Sequence, residues 1–197
     1  MDLHRLKQQI EFIREVDKLK TINRQTLLTD ASRRENDAEH SWHLALMALV
    51  LGEYADSDTI NLLQVVRMVL VHDLVEIDAG DTYCYDEAGN ADKTQRETTA
   101  AERIFNLLPP DQATEVRALW DEFEASRTPE AKFANALDRL QPLMHNVFTN
   151  GQMWKKHGIV KSQVISRNQK IADGAPALWT FARDLIEKST DDGHLAP

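Results

Sequence analysis

I-N-L-L-Q-V-V-R-M-V-L-V-H-D-L-V-E-I, residues 60–77, is the most hydrophobic stretch of the chain. Its apolar side chains cover most of the circumference of a helix, and a helix of this kind is usually buried at the centre of a fold. Ser57 or Asp58 is a suitable N-cap residue for this helix. His72 and Asp73 are therefore polar residues in a helix that we predict to be central, and burying them requires a partner.

The sequence on either side of this stretch also predicts helices. Their predicted bounds are 4–19, 38–54, about 91–108, 111–126, 129–150, 161–173 and 176–188. Residues 81–90 and 152–158 are predicted as loops, and no segment has the alternating pattern of a strand. The helix 38–54 is apolar over much of its circumference, so we expect it to be buried. With only 7 Gly and 6 Pro, the chain is predicted to be an all-α protein with a single domain.

The composition argues against several classes of protein. Lys and Arg total 23 against 32 Asp and Glu, which gives a net charge of −9, and a chain this acidic does not favour binding to nucleic acid. The single cysteine, Cys84, excludes an internal disulfide and a multi-cysteine zinc site. The charged N-terminal segment has no apolar core, so we expect no signal peptide, no membrane partner and a cytoplasmic location.

Three polar insertions in apolar helices are candidates for a metal centre. They are His40, the His72-Asp73 pair, and Asp138. Taken singly, each has an ordinary structural interpretation: a solvent-facing ring, a hydrogen-bonded pair, or a salt bridge. Together, two imidazoles and two carboxylates suit a divalent Mn, Co, Fe or Zn ion better than Mg. Glu76 lies one helical turn beyond His72 and is expected on the same side.

Several motifs carry a resemblance to a known family. They are L-K-x-I-N-R (Leu19–Arg24), R-E-N-x-x-E-H-S (Arg34–Ser41), V-H-D-x-x-E-x-x-x-G-D (Val71–Asp81) and A-L-D-R-L (Ala136–Leu140). In this order they resemble the HD-domain hydrolases, and most closely the 5′-deoxynucleotidase branch. The resemblance implies a single HD-domain helical bundle over residues 1–197, with a metal-binding core at about 20–150 and C-terminal helices at 161–188 packed on it.

The resemblance also implies a role for each matching residue. The implied metal ligands are His40, His72, Asp73 and Asp138; the implied catalytic residues are Glu76, which handles a proton, and Asp73; the implied substrate contacts are Arg24 to phosphate and Asp81 to sugar. Gln25 departs from the best-known bacterial members, which carry tryptophan there, so we expect weaker discrimination between deoxyribose and ribose. The substrate implied is a small nucleotide, hydrolysed at its 5′-phosphate by a homodimeric enzyme.

Other functions stay open at this point. The chain could be a different HD phosphohydrolase that acts on a cyclic nucleotide or a nucleoside triphosphate, although a triphosphate requires more positive charge than the sequence places near the site. It could also be a metal-stabilised interaction protein without activity, but a purely structural metal would not need Arg24, Glu76 and Asp81. His43 and His145 lie near the predicted ligands in sequence and are expected to support them rather than bind a second ion.

Overall fold

The computed structural model describes residues 3–86, 89 and 91–197. Its helices are α1 Leu3–Val16, α2 Asp37–Leu51, α3 Leu62–Val71, α4 Glu76–Ala79, α5 Lys93–Phe105, α6 Pro110–Ala125, α7 Pro129–Phe148, α8 Gln152–His157, α9 Lys161–Asn168 and α10 Pro176–Asp191. Short 3₁₀ turns lie at Asp17–Thr21, Gly52–Tyr54, His72–Val75 and Gln169–Asp173.

The all-α fold class is confirmed. The predicted loop 81–90 includes residues 87, 88 and 90, which lie outside the described residues. None of the described helices has the length and apolar character needed to cross a membrane.

The core lies where α2, α3 and α7 pack against one another. Its central side chains are Leu44, Met47, Ala48, Val65, Met68, Val69, Phe133, Leu137 and Leu140, all buried. This confirms a central helix within the stretch quoted first, at Leu62–Val71, and burial of its apolar surface is the main source of stability. In a smaller cluster, Phe105 of α5 packs with Leu74 and Val75 of the 3₁₀ turn.

The prediction of one continuous helix through residue 77 is wrong. The N-cap of α3 is Asn61, whose side chain accepts a hydrogen bond from the backbone N–H of Gln64, rather than Ser57 or Asp58. The helix ends at Val71, and His72 and Asp73 lie in the following 3₁₀ turn before α4 begins. Residues three apart are aligned in a 3₁₀ turn. The break therefore aligns Asp73, rather than His72, with Glu76.

The prediction that the chain has no strand is also wrong. Asn23–Leu27 forms strand β1 and Arg34–Asn36 forms strand β2, paired antiparallel with Asn23 opposite Asn36. The strands are short and largely polar, so they lack the apolar alternation by which a strand is recognised in sequence. The hairpin matters for the site because β1 carries Arg24 and Gln25 alongside the start of α2.

Residues 152–157 form helix α8 instead of the predicted loop. Gly151 and Gly158 have φ of 67° and 64° and lie at its two ends. Glycine adopts this left-handed backbone without steric cost, so the pair bounds a short helix that the apolar pattern does not reveal. Met153 and Trp154 anchor this helix in the core.

The C-terminal helices pack on α7. Ile171, Ala182 and Ile186 are fully buried in the same core as α7. At Gly174 the chain passes so close to α7 that a Cβ atom would lie 2.3 Å from the carbonyl oxygen of Lys132. Only glycine fits at this approach.

The expectation that the second helix is buried is wrong for one of its faces. Leu44, Met47 and Ala48 of α2 are in the core, but Trp42 is 63% exposed. The exposed large apolar side chains of α2 and α3 are here called the α2–α3 face: Trp42, Leu46, Leu49, Val50, Leu63 and Leu70. An apolar surface of this kind is characteristic of an interaction site.

Candidate metal centre

The local structure around His40 is determined by a capping box at the start of α2. The Asn36 side chain accepts a hydrogen bond from the N–H of Glu39, at 3.0 Å, and the Glu39 carboxylate accepts one from the N–H of Asn36, at 3.2 Å. Such reciprocal bonds satisfy backbone donors that have no partner within the helix. Arg33 holds Glu39 from outside through an exposed ion pair. The first turn of α2 is thus fixed, and His40 points inward with no exposed surface.

The four residues predicted as metal ligands converge on one point. Nε2 of His40 lies 3.0 Å from Oδ1 of Asp138 and 3.8 Å from Oδ2 of Asp73. Nε2 of His72 lies 3.0 Å from Oδ1 of Asp73 and 3.7 Å from Oδ1 of Asp138. Residues from α2, from the 3₁₀ turn and from α7 therefore meet within the reach of a single ion.

The hydrogen bonding of His72 shows that the donor set fits a cation. Its Nδ1 lies 2.9 Å from the carbonyl oxygen of Val69 and can only donate to it, so Nε2 is the ring nitrogen that can bind a metal ion. This Nε2 is buried, has no hydrogen-bond partner and is directed towards Asp73 and Asp138. Two buried carboxylates around this nitrogen require a positive charge between them, which a divalent ion can supply in place of a ring proton. The residues present therefore fit a divalent metal ion.

The electrostatics of the cluster agree with a cation site. Burial disfavours a charged imidazole, but the carboxylates of Asp73 and Asp138 outweigh it and raise the pKa of His72 to about 10. Burial and the charge of Arg24 lower the pKa of His40 to about 4, so this ring is neutral and can act as a ligand. Burial also opposes ionisation of Asp73, yet His72 and Arg24 lower its pKa. The site thus combines ionised carboxylates with a neutral imidazole.

A second group of carboxylates borders the first. Oxygen atoms of Asp37, Asp73 and Glu76 lie within 4.8 Å of one another, and all three residues are buried. Burial and the charges of Asp73 and Asp37 raise the pKa of Glu76 well above its usual value. Nη1 of Arg24 lies 3.2 Å from Asp37 and 2.9 Å from Asp73, which offsets part of the repulsion. The structure thus places Glu76 beside the predicted ligands, and it adds Asp37, which the sequence did not single out.

The cluster opens into a cavity of about 330 Å³. Six predicted site residues line it: Arg24, Gln25, Asp73, Glu76, Asp81 and Asp138. Lys93, Arg139 and Arg167 line it as well. Arg139 follows Asp138 directly in sequence, and there the sequence suggested only a salt bridge. The sequence around Lys93 and Arg167 gave no indication of a site. Only the folded structure shows that these three basic side chains line the cavity.

Two buried side chains next to His40 were not identified from the sequence. Glu35 is 2% exposed, and burial raises its pKa to about 7. Gln141 is fully buried and lies against His40, Glu35, His43 and His145. The sequence had suggested supporting roles for the two histidines, but it contained no signal for Gln141.

Comparison with known proteins agrees with this geometry. The family described as the HD domain matches residues 16–179, which include every predicted ligand. The chain belongs to the HD-domain family. The resemblance read from the motifs is thereby confirmed, and so is the prediction of a metal-binding hydrolase.

Relatives in this HD-domain family have related names. Human 5′-deoxynucleotidase HDDC2 is 32% identical over 142 residues, which cover 72% of this chain and 68% of the human protein. The protein of the same name from Dictyostelium discoideum is 29% identical over 140 residues, 68% of this chain and 74% of that protein. A crystal structure of a predicted metal-dependent phosphohydrolase from Magnetospirillum magnetotacticum MS-1 has 56% identity and a TM-score of 0.94, covering 98% of this chain and 96% of that one.

Proposed function

We propose that this HD-domain protein removes the 5′-phosphate from nucleoside monophosphates with the help of a divalent metal ion. The observation that carries the proposal is the convergence of His40, His72, Asp73 and Asp138 beside a cavity that also contains Glu76 and basic side chains. The names of the relatives support the same reaction. The mixed imidazole and carboxylate ligands favour Mn, Co, Fe or Zn over Mg. Such an ion, when bound, acidifies a water molecule and neutralises charge on a phosphoryl group.

Arg24 is proposed to orient the phosphate. Its Nη1 is held by Asp37 and Asp73, so the position of the guanidinium is fixed before substrate binds. Its Nε is buried and has no hydrogen-bond partner among the described residues. A preorganised guanidinium forms strong charge-assisted hydrogen bonds with phosphate oxygens.

Glu76 is proposed to handle the proton, with Asp73 as a catalytic ligand beside it. Glu76 is 4% exposed, and its Oε2 has no hydrogen-bond partner. A carboxylate in this position can activate the attacking water or protonate the leaving oxygen.

The sugar is proposed to bind between Asp81 and Gln25, which line the same cavity. Glutamine can hydrogen-bond to a 2′-hydroxyl, whereas the tryptophan of the resembled enzymes would form an apolar wall. The substrate range is therefore expected to include both ribose and deoxyribose monophosphates.

A second candidate, hydrolysis of nucleoside triphosphates, is favoured by one observation. Lys93, Arg139 and Arg167 line the cavity and add positive charge that the sequence had not placed there. Monophosphates remain the better candidate, because the relatives at about 30% identity carry the 5′-deoxynucleotidase name.

The substrate proposal predicts phosphate release from deoxy- and ribonucleoside 5′-monophosphates, with kcat/KM values for the two sugars that differ by less than about a hundredfold. The measurement is phosphate release from matched mono- and triphosphates with Mn²⁺, Co²⁺ or Mg²⁺, and with chelator as a control. Gln25→Trp should increase the preference for deoxyribose. A deoxy preference of several hundredfold in the unmodified protein would contradict the role of Gln25, and faster turnover of triphosphates would favour the second candidate.

The α2–α3 face is proposed to form a homodimer interface. Its six large apolar side chains are between 44% and 69% exposed, and a two-fold dimer uses the same surface on both subunits. A stable interface buries about 800 Å² per partner, with aromatic residues at its centre. Trp42 is the aromatic residue of this face.

The dimer proposal predicts that Trp42→Glu and Leu49→Glu each shift the protein to a monomer, because an interface core does not tolerate an unpaired charge. Light scattering after size-exclusion chromatography measures the mass. Phe181→Glu on α10 is the matched control, since Phe181 is 49% exposed but lies outside this face. A monomeric unmodified protein, or a dimer that persists in both variants, would contradict the proposal.

A further inference from the structure

Gln141 joins a predicted metal ligand to a buried carboxylate. It lies three residues beyond Asp138 on α7 and has no exposed surface. Its Oε1 lies 3.2 Å from Nδ1 of His40, and its Nε2 lies 2.6 Å from Oε1 of Glu35. The amide therefore spans the distance between His40 and Glu35.

The groups around its nitrogen determine which way this amide faces. The Nε2 end lies 2.6 Å from Oε1 of Glu35 and also faces ring nitrogens of His43 at 3.3 Å and His145 at 3.2 Å, so it is the end surrounded by acceptors. The opposite orientation would place two acceptor oxygens 2.6 Å apart. The carbonyl end of Gln141 is then directed at His40.

This orientation in turn determines the protonation of His40. Its Nδ1 faces a carbonyl oxygen and must carry a hydrogen, so Nε2 is the nitrogen that can give its lone pair to a metal ion. That Nε2 is the atom directed at Asp138 and Asp73. His72 is held in the same tautomer by the backbone carbonyl of Val69. Each predicted histidine ligand therefore has an acceptor behind it.

We propose that Glu35 and Gln141 are positioning residues that hold His40 ready to bind the metal ion. The proposal rests on the metal site described under the proposed function, but not on any substrate. Outer partners of this kind orient a ligand and raise its basicity, and losing one costs about 10- to 100-fold in metal affinity.

The same cluster could be interpreted as a second metal site, but its geometry argues against one. Ligand atoms of Glu35, His43 and His145 lie within 4.8 Å of one another. Nε2 of Gln141 lies 3.3 Å from His43 and 3.2 Å from His145, in addition to its short contact with Glu35. An amide nitrogen thus stands among the three groups, where a second ion would have to bind. The structure favours a hydrogen-bonded cluster centred on Gln141 over a second metal site.

The test is a calorimetric titration of metal-free protein with Mn²⁺, without nucleotide. Gln141→Met keeps the length of the side chain and removes both hydrogen bonds, so metal affinity should fall by about 10- to 100-fold. Gln64→Met is the matched control, because Gln64 also donates a side-chain hydrogen bond, at 2.8 Å to Glu122, away from the cluster. It should bind Mn²⁺ like the unmodified protein. Because no substrate is present, the result can be interpreted even if the protein hydrolyses no nucleotide.

A charge swap separates positioning from a merely structural role. Glu35→Gln lets the neighbouring amide adopt either orientation, and Gln141→Glu brings two carboxylates together, so each single variant should bind Mn²⁺ more weakly. The double variant restores an acceptor facing Nδ1 of His40 and a donor behind it, and it should recover most of the affinity. In the zinc-loaded unmodified protein, NMR should show a hydrogen-bonded Nδ1–H proton on His40 that is lost in Gln141→Met.

Three results would overturn the proposal. The first is unmodified affinity in Gln141→Met, and the second is a double variant no better than the weaker single variant. The third is a second bound ion that is lost in His145→Ala, which would show that the cluster is a metal site in its own right.

Discussion

Replacing Glu76 by glutamine is expected to lower kcat by about 10²- to 10⁴-fold, while the protein keeps its fold and its metal. Glutamine preserves the shape of the side chain but cannot accept or donate the proton in the reaction. Glu76 lies beside Asp73 with one oxygen unpartnered, and two histidines and two aspartates already surround the ion site. Its loss should therefore remove proton transfer and leave metal binding intact.

The measurement for Glu76→Gln combines steady-state phosphate release with metal content and thermal unfolding. Glu115→Gln is the matched control, since Glu115 forms an exposed ion pair with Arg67. Its activity should not change. Loss of metal together with activity would show that Glu76 is a ligand. Unchanged activity would assign the proton to Asp73, Asp81 or solvent.

The second large effect, loss of the bound metal ion, is expected when a predicted metal ligand is replaced. We expect one tightly bound divalent ion per chain, and His72→Ala or Asp138→Ala should remove it. Both residues lie in the first layer around the ion site, so their loss should exceed the cost of about 10- to 100-fold for an outer partner. Phosphate release should fall with the metal.

Elemental analysis of protein purified without added metal measures this effect. His4→Ala on the exposed side of α1 is the control and should retain the ion. Because bound metal stabilises only the folded state, chelator should lower the Tm of the unmodified protein but not that of the two ligand variants. If both variants remain folded and hold metal as well as the unmodified protein, the four-residue site is wrong.

The sequence by itself determined the helical fold and the four converging side chains. Polar residues such as His40, His72 and Asp138 stood out because burying them in apolar helices is costly without a partner. That argument is local and needs only the helical pattern around each residue. It therefore identified the segments that carry the site and a set of imidazole and carboxylate donors that suits a divalent ion.

Only the tertiary structure decided how these side chains are held and what lies around them. The 3₁₀ turn at His72–Val75 and the hairpin that carries Arg24 depend on packing against other elements, which outweighs local preference. Glu35 and Gln141 are 106 residues apart and meet only after folding. The exposed side of α2 looked like a core face, because an apolar pattern shows that a surface should be covered but not what covers it.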